Sequence, residues 1–251
     1  MLQNRRQSDM NWQGKRYWLI GASEGLGRAL ALELAAQGAE VIASARSAQR
    51  LAELAEQANI RSLPVDITDR EAVQQAVQGL PDIDGCIYCA GAYEPLAAAQ
   101  WDAATIAQMV AVNFTGALHV VEAVLPRLQA QGHLAFIGSL AGLRGLPRAQ
   151  GYGTSKAALM HLAQSLRADL DPRQTRVQLI NPGFIRTRLT DKNDFKMPFI
   201  LTPEAAARLT RKALERRRFR SDFPRAFALL FTLLGGLPSG LYFPLVRRMT
   251  L

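Results

Sequence analysis

The chain has 251 residues, of which 49% are hydrophobic and 20% charged, and it carries a formal charge of +9. These values exclude a fibrous or disordered chain and suit one large domain, or at most two small ones. Two cysteines cannot form a disulfide framework, so a reducing, cytoplasmic setting is expected. The excess of basic residues, 30 Lys and Arg against 21 Asp and Glu, suits anionic partners: a phosphorylated cofactor, an anionic membrane or an acidic carrier protein. No aromatic–basic interleaving of the single-strand type occurs, and no nucleic-acid partner is expected.

Residues 1–11 read as a polar lead-in without an export signal, because Arg5-Arg6 is followed by Gln-Ser-Asp rather than an apolar run. The run 16–20 is β-prone and ends at Gly21. A helix follows to Gln37, with Leu26, Leu30 and Leu34 on one stripe and Gly38 as its stop. Strands are expected at 40–45, 60–65, 85–89, 134–139 and 177–180. Helices are expected at 48–57, from Thr68 to about Gln78, at 102–131 and at 151–170. Thr68 with Glu71 has the spacing of a capping box. Strands alternating with helices of ten or more residues predict βαβ units and one doubly wound parallel sheet covered on both faces. The organisation read from the chain is a lead-in at 1–11, an α/β domain at 12–220 and an apolar, helical, Arg-flanked extension at 221–251.

Gly21, Gly25 and Gly27 lie between the first strand and the first helix. A turn that brings backbone against a pyrophosphate has no room for a Cβ, and the helix N-terminus supplies free N–H groups and partial positive charge. A carboxylate about 20 residues further on would bind a ribose 2′-hydroxyl. Here the second strand ends at Ala43-Ser-Ala-Arg46-Ser47, with a guanidinium in that place. Arg46 suits a 2′-phosphate, so NADP(H) is the expected cofactor and NAD the second choice.

Tyr152 and Lys156 stand at i and i+4 of one predicted helix. A tyrosine with a pKa near 10 is a poor base at neutral pH. A nearby ammonium favours the phenolate, and the pair then suits proton exchange in an alcohol–carbonyl interconversion. Ser139, at the end of the fifth predicted strand, sits where ligands bind parallel sheets.

Together these residues resemble the short-chain dehydrogenase/reductase family over about residues 14–220. Gly21, Gly25 and Gly27 match its cofactor turn, which also takes in Ser23 and Leu26. Asp66 matches its adenine-contacting aspartate and Ala90-Gly91 the end of its Asn-Asn-Ala-Gly element. Asn113, Ser139, Tyr152 and Lys156 match its catalytic tetrad in order. Asn181-Pro182-Gly183-Phe184-Ile185-Arg186-Thr187 matches the element that lies along the nicotinamide. The resemblance implies a Rossmann-like fold and a hydride-transferring enzyme with Tyr152 as acid/base. It further implies that Lys156 holds the nicotinamide ribose, Ser139 holds the substrate oxygen, and Asn113 holds a water that relays protons to Lys156. Pro182, Gly183, Ile185 and Thr187 would line the cofactor.

Three departures stand out. Ile20 replaces a usual threonine, Tyr88-Cys89 replace two asparagines, and Glu24 occupies a position that is often basic in NADP-preferring members. Cys86 and Cys89 would face opposite sides of a strand, and the three histidines lack metal spacing, so no metal site is expected. The apolar residues Phe184, Leu189, Phe195, Met197 and Phe199 suggest a lid over a small lipophilic carbonyl or alcohol substrate. Two alternatives are a non-catalytic nucleotide-binding scaffold and a 3-oxoacyl-carrier-protein reductase-like enzyme. A homo-oligomer is expected. Residues 226–246 lack any charged side chain, and Gly235-Gly236, Pro238 and Gly240 predict two short pieces rather than one rod. With arginines at both ends, residues 221–248 suggest peripheral contact with an anionic membrane surface; packing against a second subunit or the lid is the competing expectation.

Overall fold

A computed structural model describes residues 10–57 and 59–248. Seven strands form one parallel sheet: β1 (Arg16–Ile20), β2 (Glu40–Ser44), β3 (Ile60–Ser62), β4 (Ile83–Tyr88), β5 (Leu128–Ile137), β6 (Thr175–Pro182) and β7 (Arg220–Phe223). Their order is β3-β2-β1-β4-β5-β6-β7, with every neighbouring pair parallel. The expected Rossmann-like doubly wound sheet is therefore present. Successive side chains of a strand face opposite ways. Trp18, Ile20, Cys86, Tyr88, Leu134 and Phe136 accordingly pack under one layer of helices, while Tyr17, Leu19, Ile87, Ala135 and Ile137 pack under the other.

The first layer holds α3 (Arg70–Gln78), α4 (Ala103–Val110), α5 (Gly116–Val124) and α6 (Gln150–Asp169). The second holds α1 (Gly25–Ala36), α2 (Ala48–Ala55) and α7 (Pro203–Glu215), with Leu30, Leu34, Leu51, Leu54, Ala206 and Leu214 buried against the sheet. Two further helices, α8 (Arg225–Gly235) and α9 (Ser239–Arg248), form the expected C-terminal extension as two short pieces.

Several local expectations need correction. The stretch read as one helix over 102–131 is α4, a π-turn at Ala111–Thr115, and α5. It stops before Pro126, which has no N–H to continue the ladder, and β5 begins at Leu128 rather than 134. Asp69, not Thr68, caps α3 by accepting the Ala72 N–H at 3.0 Å; Thr68 instead donates its hydroxyl to Asp66 at 2.7 Å. Ser139 lies beyond β5 and caps a short 3₁₀ turn at Leu140–Gly142. The sequence reading missed α7 and β7. A domain boundary at 220 falls inside β7, so the extension leaves from the sheet itself. Trp12, the first residue of the expected domain, is buried beside Tyr17; residues 1–9 of the expected lead-in lie outside the described residues.

The chain winds one way from β1 to β3 and the other from β4 to β7, so the loops diverge where β1 meets β4. That is where doubly wound sheets open a crevice. Gly21 sits on its edge at φ +87°, and an added Cβ would lie 2.6 Å from the Ala90 backbone. Replacing Gly21 by Ala should cost about 2–4 kcal/mol through the left-handed backbone and the overlap. A urea titration checks this, and an unchanged midpoint would contradict it.

Candidate active site

A cavity of about 500 Å³ opens at the carboxyl ends of the strands. Its lining includes every residue expected to bind the cofactor: Gly21, Ser23, Gly25, Leu26, Gly27, Arg46, Asp66, Ala90, Gly91, Tyr152, Lys156, Pro182, Gly183, Ile185 and Thr187. A Cβ on Gly27 would overlap the Gly21 carbonyl oxygen, and one on Gly25 would lie 2.9 Å from Thr187 Cγ2. The turn is thus a cradle of bare backbone, and its donor set fits a dinucleotide pyrophosphate.

Around this floor the charges are already arranged. The Glu24 carboxylate accepts from Arg50 at 2.8 Å and from Arg188 at 2.7 and 3.1 Å. Arg46 is exposed and has no ion pair among the described residues. The corner thus holds three guanidinium groups and one carboxylate. Asp66 has one oxygen fixed by the Thr68 N–H and hydroxyl.

The tetrad comes together from three elements. The π-turn brings Asn113, fully buried, beneath the cavity rather than into its lining. Its Nδ2 donates to Ala92 O and Ser155 Oγ at 2.9 Å, and its Oδ1 accepts the Ala92 N–H at 2.7 Å. Ser155 in turn donates to Tyr152 O at 2.9 Å, a link that the sequence reading missed. Lys156 Nζ, almost fully buried, donates to Ile137 O at 2.9 Å. Tyr88, standing for an asparagine, reaches the same π-turn by donating to Val112 O at 2.5 Å.

One electrostatic expectation is overturned. The Lys156 ammonium stands 5.9 Å from the centre of the Tyr152 ring, and it does not bring that hydroxyl below its ordinary value. Burial raises the Tyr152 pKa, with a hydrogen bond from Ser139 pulling it partly back. Burial also lowers Lys156 to about 8. Desolvation disfavours both the phenolate and the ammonium. Tyr152 is therefore a protonated hydroxyl at neutral pH. The Cys89 thiol at the cavity wall is pushed up to about 11 by burial, and no cluster of metal-ligating residues occurs among the described residues.

Of the lid residues, Phe184, Leu189 and Phe195 line the cavity, and Phe184 contacts Phe195 with ring centres 5.9 Å apart. Met197 and Phe199 do not: Met197 accepts from Asn193, and Phe199 is 56% exposed on the outside of Phe227. The sequence reading missed the second apolar wall, Phe227, Phe231, Leu234, Tyr242 and Val246 from α8 and α9. Gly183 is small because the Phe227 ring would lie 2.8 Å from a Cβ there. Arg144 holds this wall in place. It donates to Gly235 O and Leu237 O at 2.7 and 2.6 Å and lies 4.0 Å over the Tyr242 ring.

With this geometry established, the family model for short chain dehydrogenases matches residues 15–197. The chain belongs to that family. An uncharacterised oxidoreductase of Myxococcus xanthus is 33% identical over 92% of this chain and 96% of its own length. A short chain dehydrogenase of Burkholderia cenocepacia, in complex with NADP, superposes with a TM-score of 0.83 at 25% identity, covering 96% of this chain and all of that one. A Burkholderia phymatum short-chain dehydrogenase/reductase, in complex with NAD, shares the fold with a TM-score of 0.79 at 23% identity, over 89% of this chain and 94% of that one.

Replacing Arg144 by Ala removes charge-assisted bonds to two carbonyls. Amide exchange in α8 and α9 should accelerate roughly 10- to 100-fold, with exchange in β4 and β5 unchanged. Unaltered exchange in the two helices would contradict the clamp.

Proposed function

We propose that this oxidoreductase reduces a lipophilic ketone or aldehyde to the alcohol with NADPH, using Tyr152 as the proton donor. One observation carries the reading: Tyr152 and Ser139 both line a cavity whose side walls are aromatic and aliphatic. NADPH, when bound, supplies the hydride. Gly21, Ser23, Gly25, Leu26 and Gly27 would hold its pyrophosphate, Asp66 its adenine, Lys156 its nicotinamide ribose, and Pro182, Gly183, Ile185 and Thr187 the ring's surroundings. Ser139 and Tyr152 donate hydrogen bonds to the carbonyl oxygen, and Tyr152 delivers the proton that completes the alcohol. Lys156, with Asn113 behind it, favours the return of a proton to the phenolate.

Preference for the phosphorylated cofactor is supported by the charge at the mouth of the glycine turn. Glu24 would repel a 2′-phosphate only as a free carboxylate, and both its oxygens are engaged by Arg50 and Arg188. Arg46 is left to receive the phosphate. Among the structural neighbours, the Burkholderia cenocepacia protein is in complex with NADP and the Burkholderia phymatum protein with NAD.

Tyr152→Phe should lower turnover of an accepted ketone about 10²- to 10⁴-fold while NADPH still binds. Near wild-type turnover would overturn the assignment. Arg46→Ala should weaken NADPH by about 1.5–3 kcal/mol and leave NADH unchanged, as read by titration of nicotinamide fluorescence. Equal affinity of the wild type for NADH and NADPH would refute the preference. Lys156 acts in its protonated form, which is lost as pH rises through about 8. The kcat/KM for reduction should be flat through neutral pH and then fall about tenfold per pH unit. A profile that stays flat well into the alkaline range would contradict this role.

A further inference from the structure

The helices α8 and α9 each have two unlike faces. Inward, Phe227, Ala228, Tyr242 and Val246 are buried, and Phe227, Phe231, Leu234, Tyr242 and Val246 wall the cavity. Outward, Leu229 and Leu233 stand one turn apart on α8, 59% and 64% exposed. Leu241 and Leu245 stand likewise on α9, both exposed. A cluster of exposed leucines this size on a short segment is a binding surface or an aggregation hazard.

The charge around it selects the occupant. After Asp222 the chain contains no carboxylate side chain, whereas Arg225 and Arg248 are exposed and Arg247 lies next to them. Arg216, Arg217 and Arg218 precede β7 and so lie at the opposite end of that strand from α8. A second copy placed on this face by a two-fold axis would oppose the patch to itself. Residues 223–248 of that copy would offer these arginines no carboxylate side chain. An anionic lipid surface is complementary both to the apolar face and to its cationic ends.

Span length separates docking from crossing. The two helices have 11 and 10 residues, about half of what a bilayer crossing needs. The only long apolar helical run among the described residues, Ala103–Arg127, is half buried and packs in the core as α4 and α5.

We propose that the outer face of the α8–α9 pair docks in the plane of an anionic lipid bilayer, with Leu229, Leu233, Leu241 and Leu245 in the acyl boundary and Arg225 and Arg248 at the headgroups. The proposal concerns this outer face and stands apart from the reaction on the inner one.

Flotation of the full-length protein tests it without cofactor or substrate, so failure of the reductase assignment would not affect the result. Vesicles of phosphatidylcholine with phosphatidylglycerol should carry the protein up at low salt, lose it at high salt, and outperform phosphatidylcholine alone. Arg225→Ala with Arg248→Ala should weaken partitioning about 30-fold. Leu229→Gln with Leu233→Gln should weaken it about 100-fold. Circular dichroism melts establish that each variant is folded, and the arginine pair serves if the leucine pair is not. The proposal is overturned if the wild type floats with neither vesicle, or floats equally with both and neither variant changes that. It is equally overturned if the wild type does not float and the leucine variant dissociates an oligomer, which would make the face a contact between copies of the chain.

Discussion

The molecule is organised by the divergence of its chain on the two sides of the β1–β4 contact. All seven strands run parallel, so their carboxyl ends lie on one side, and the connections from β1 and β4 turn away from each other there. The crevice this leaves is a consequence of winding order and needs no dedicated residue to open it. What it does need is backbone without side chains at its floor. Gly21 packs against Ala90 across the crevice, and Gly27 packs back onto Gly21, so neither position has room for a side chain.

Above that floor, burial decides the chemistry. A phenol and an ammonium drawn into a cavity both shift toward their neutral forms. At Tyr152 this raises the hydroxyl's pKa; at Lys156 it brings the titration down to about 8. The same cavity is closed on its outer side by the C-terminal helices, with Arg144 capping the end of α8 and stacking on Tyr242 of α9. The extension is therefore part of the site's wall. Its inner face sets the apolar character of the cavity while its outer face remains available to a partner surface.

The alternating apolar runs and the glycine spacing made the sheet and cradle legible, because a parallel sheet buried on both faces writes its period directly into the chain. All the residues read from sequence as cofactor-binding line one cavity. What stayed hidden depends on tertiary contact. A π-turn has the same apolar pattern as the helix around it, so the device that buries Asn113 was read as part of one long helix. β7 is short, partly polar and an edge strand, and nothing in Arg220–Phe223 alternates strongly enough to announce it. Pairing of Glu24 with Arg50 and Arg188 joins residues far apart in the chain, so the sequence alone did not show that this carboxylate is held in two ion pairs. Met197 and Phe199 were apolar residues near the right place, which is a weaker warrant than a helical stripe; the stripe at Phe227, Phe231 and Leu234 is the one that reached the cavity.

The central claim is that Tyr152 and its neighbours deliver a proton to a carbonyl oxygen while the nicotinamide cofactor delivers hydride to the carbon. Isotope transfer tests it most directly. The protein is incubated with NADPH carrying deuterium at the transferable position and a series of aliphatic, aromatic and steroid-like ketones, and the products are analysed by mass spectrometry. The account predicts an alcohol with one deuterium on the carbinol carbon, and label from deuterated NADPH of one C4 face only. Absence of labelled alcohol from every ketone and from the corresponding aldehydes, with the cofactor bound and the protein folded, would contradict it.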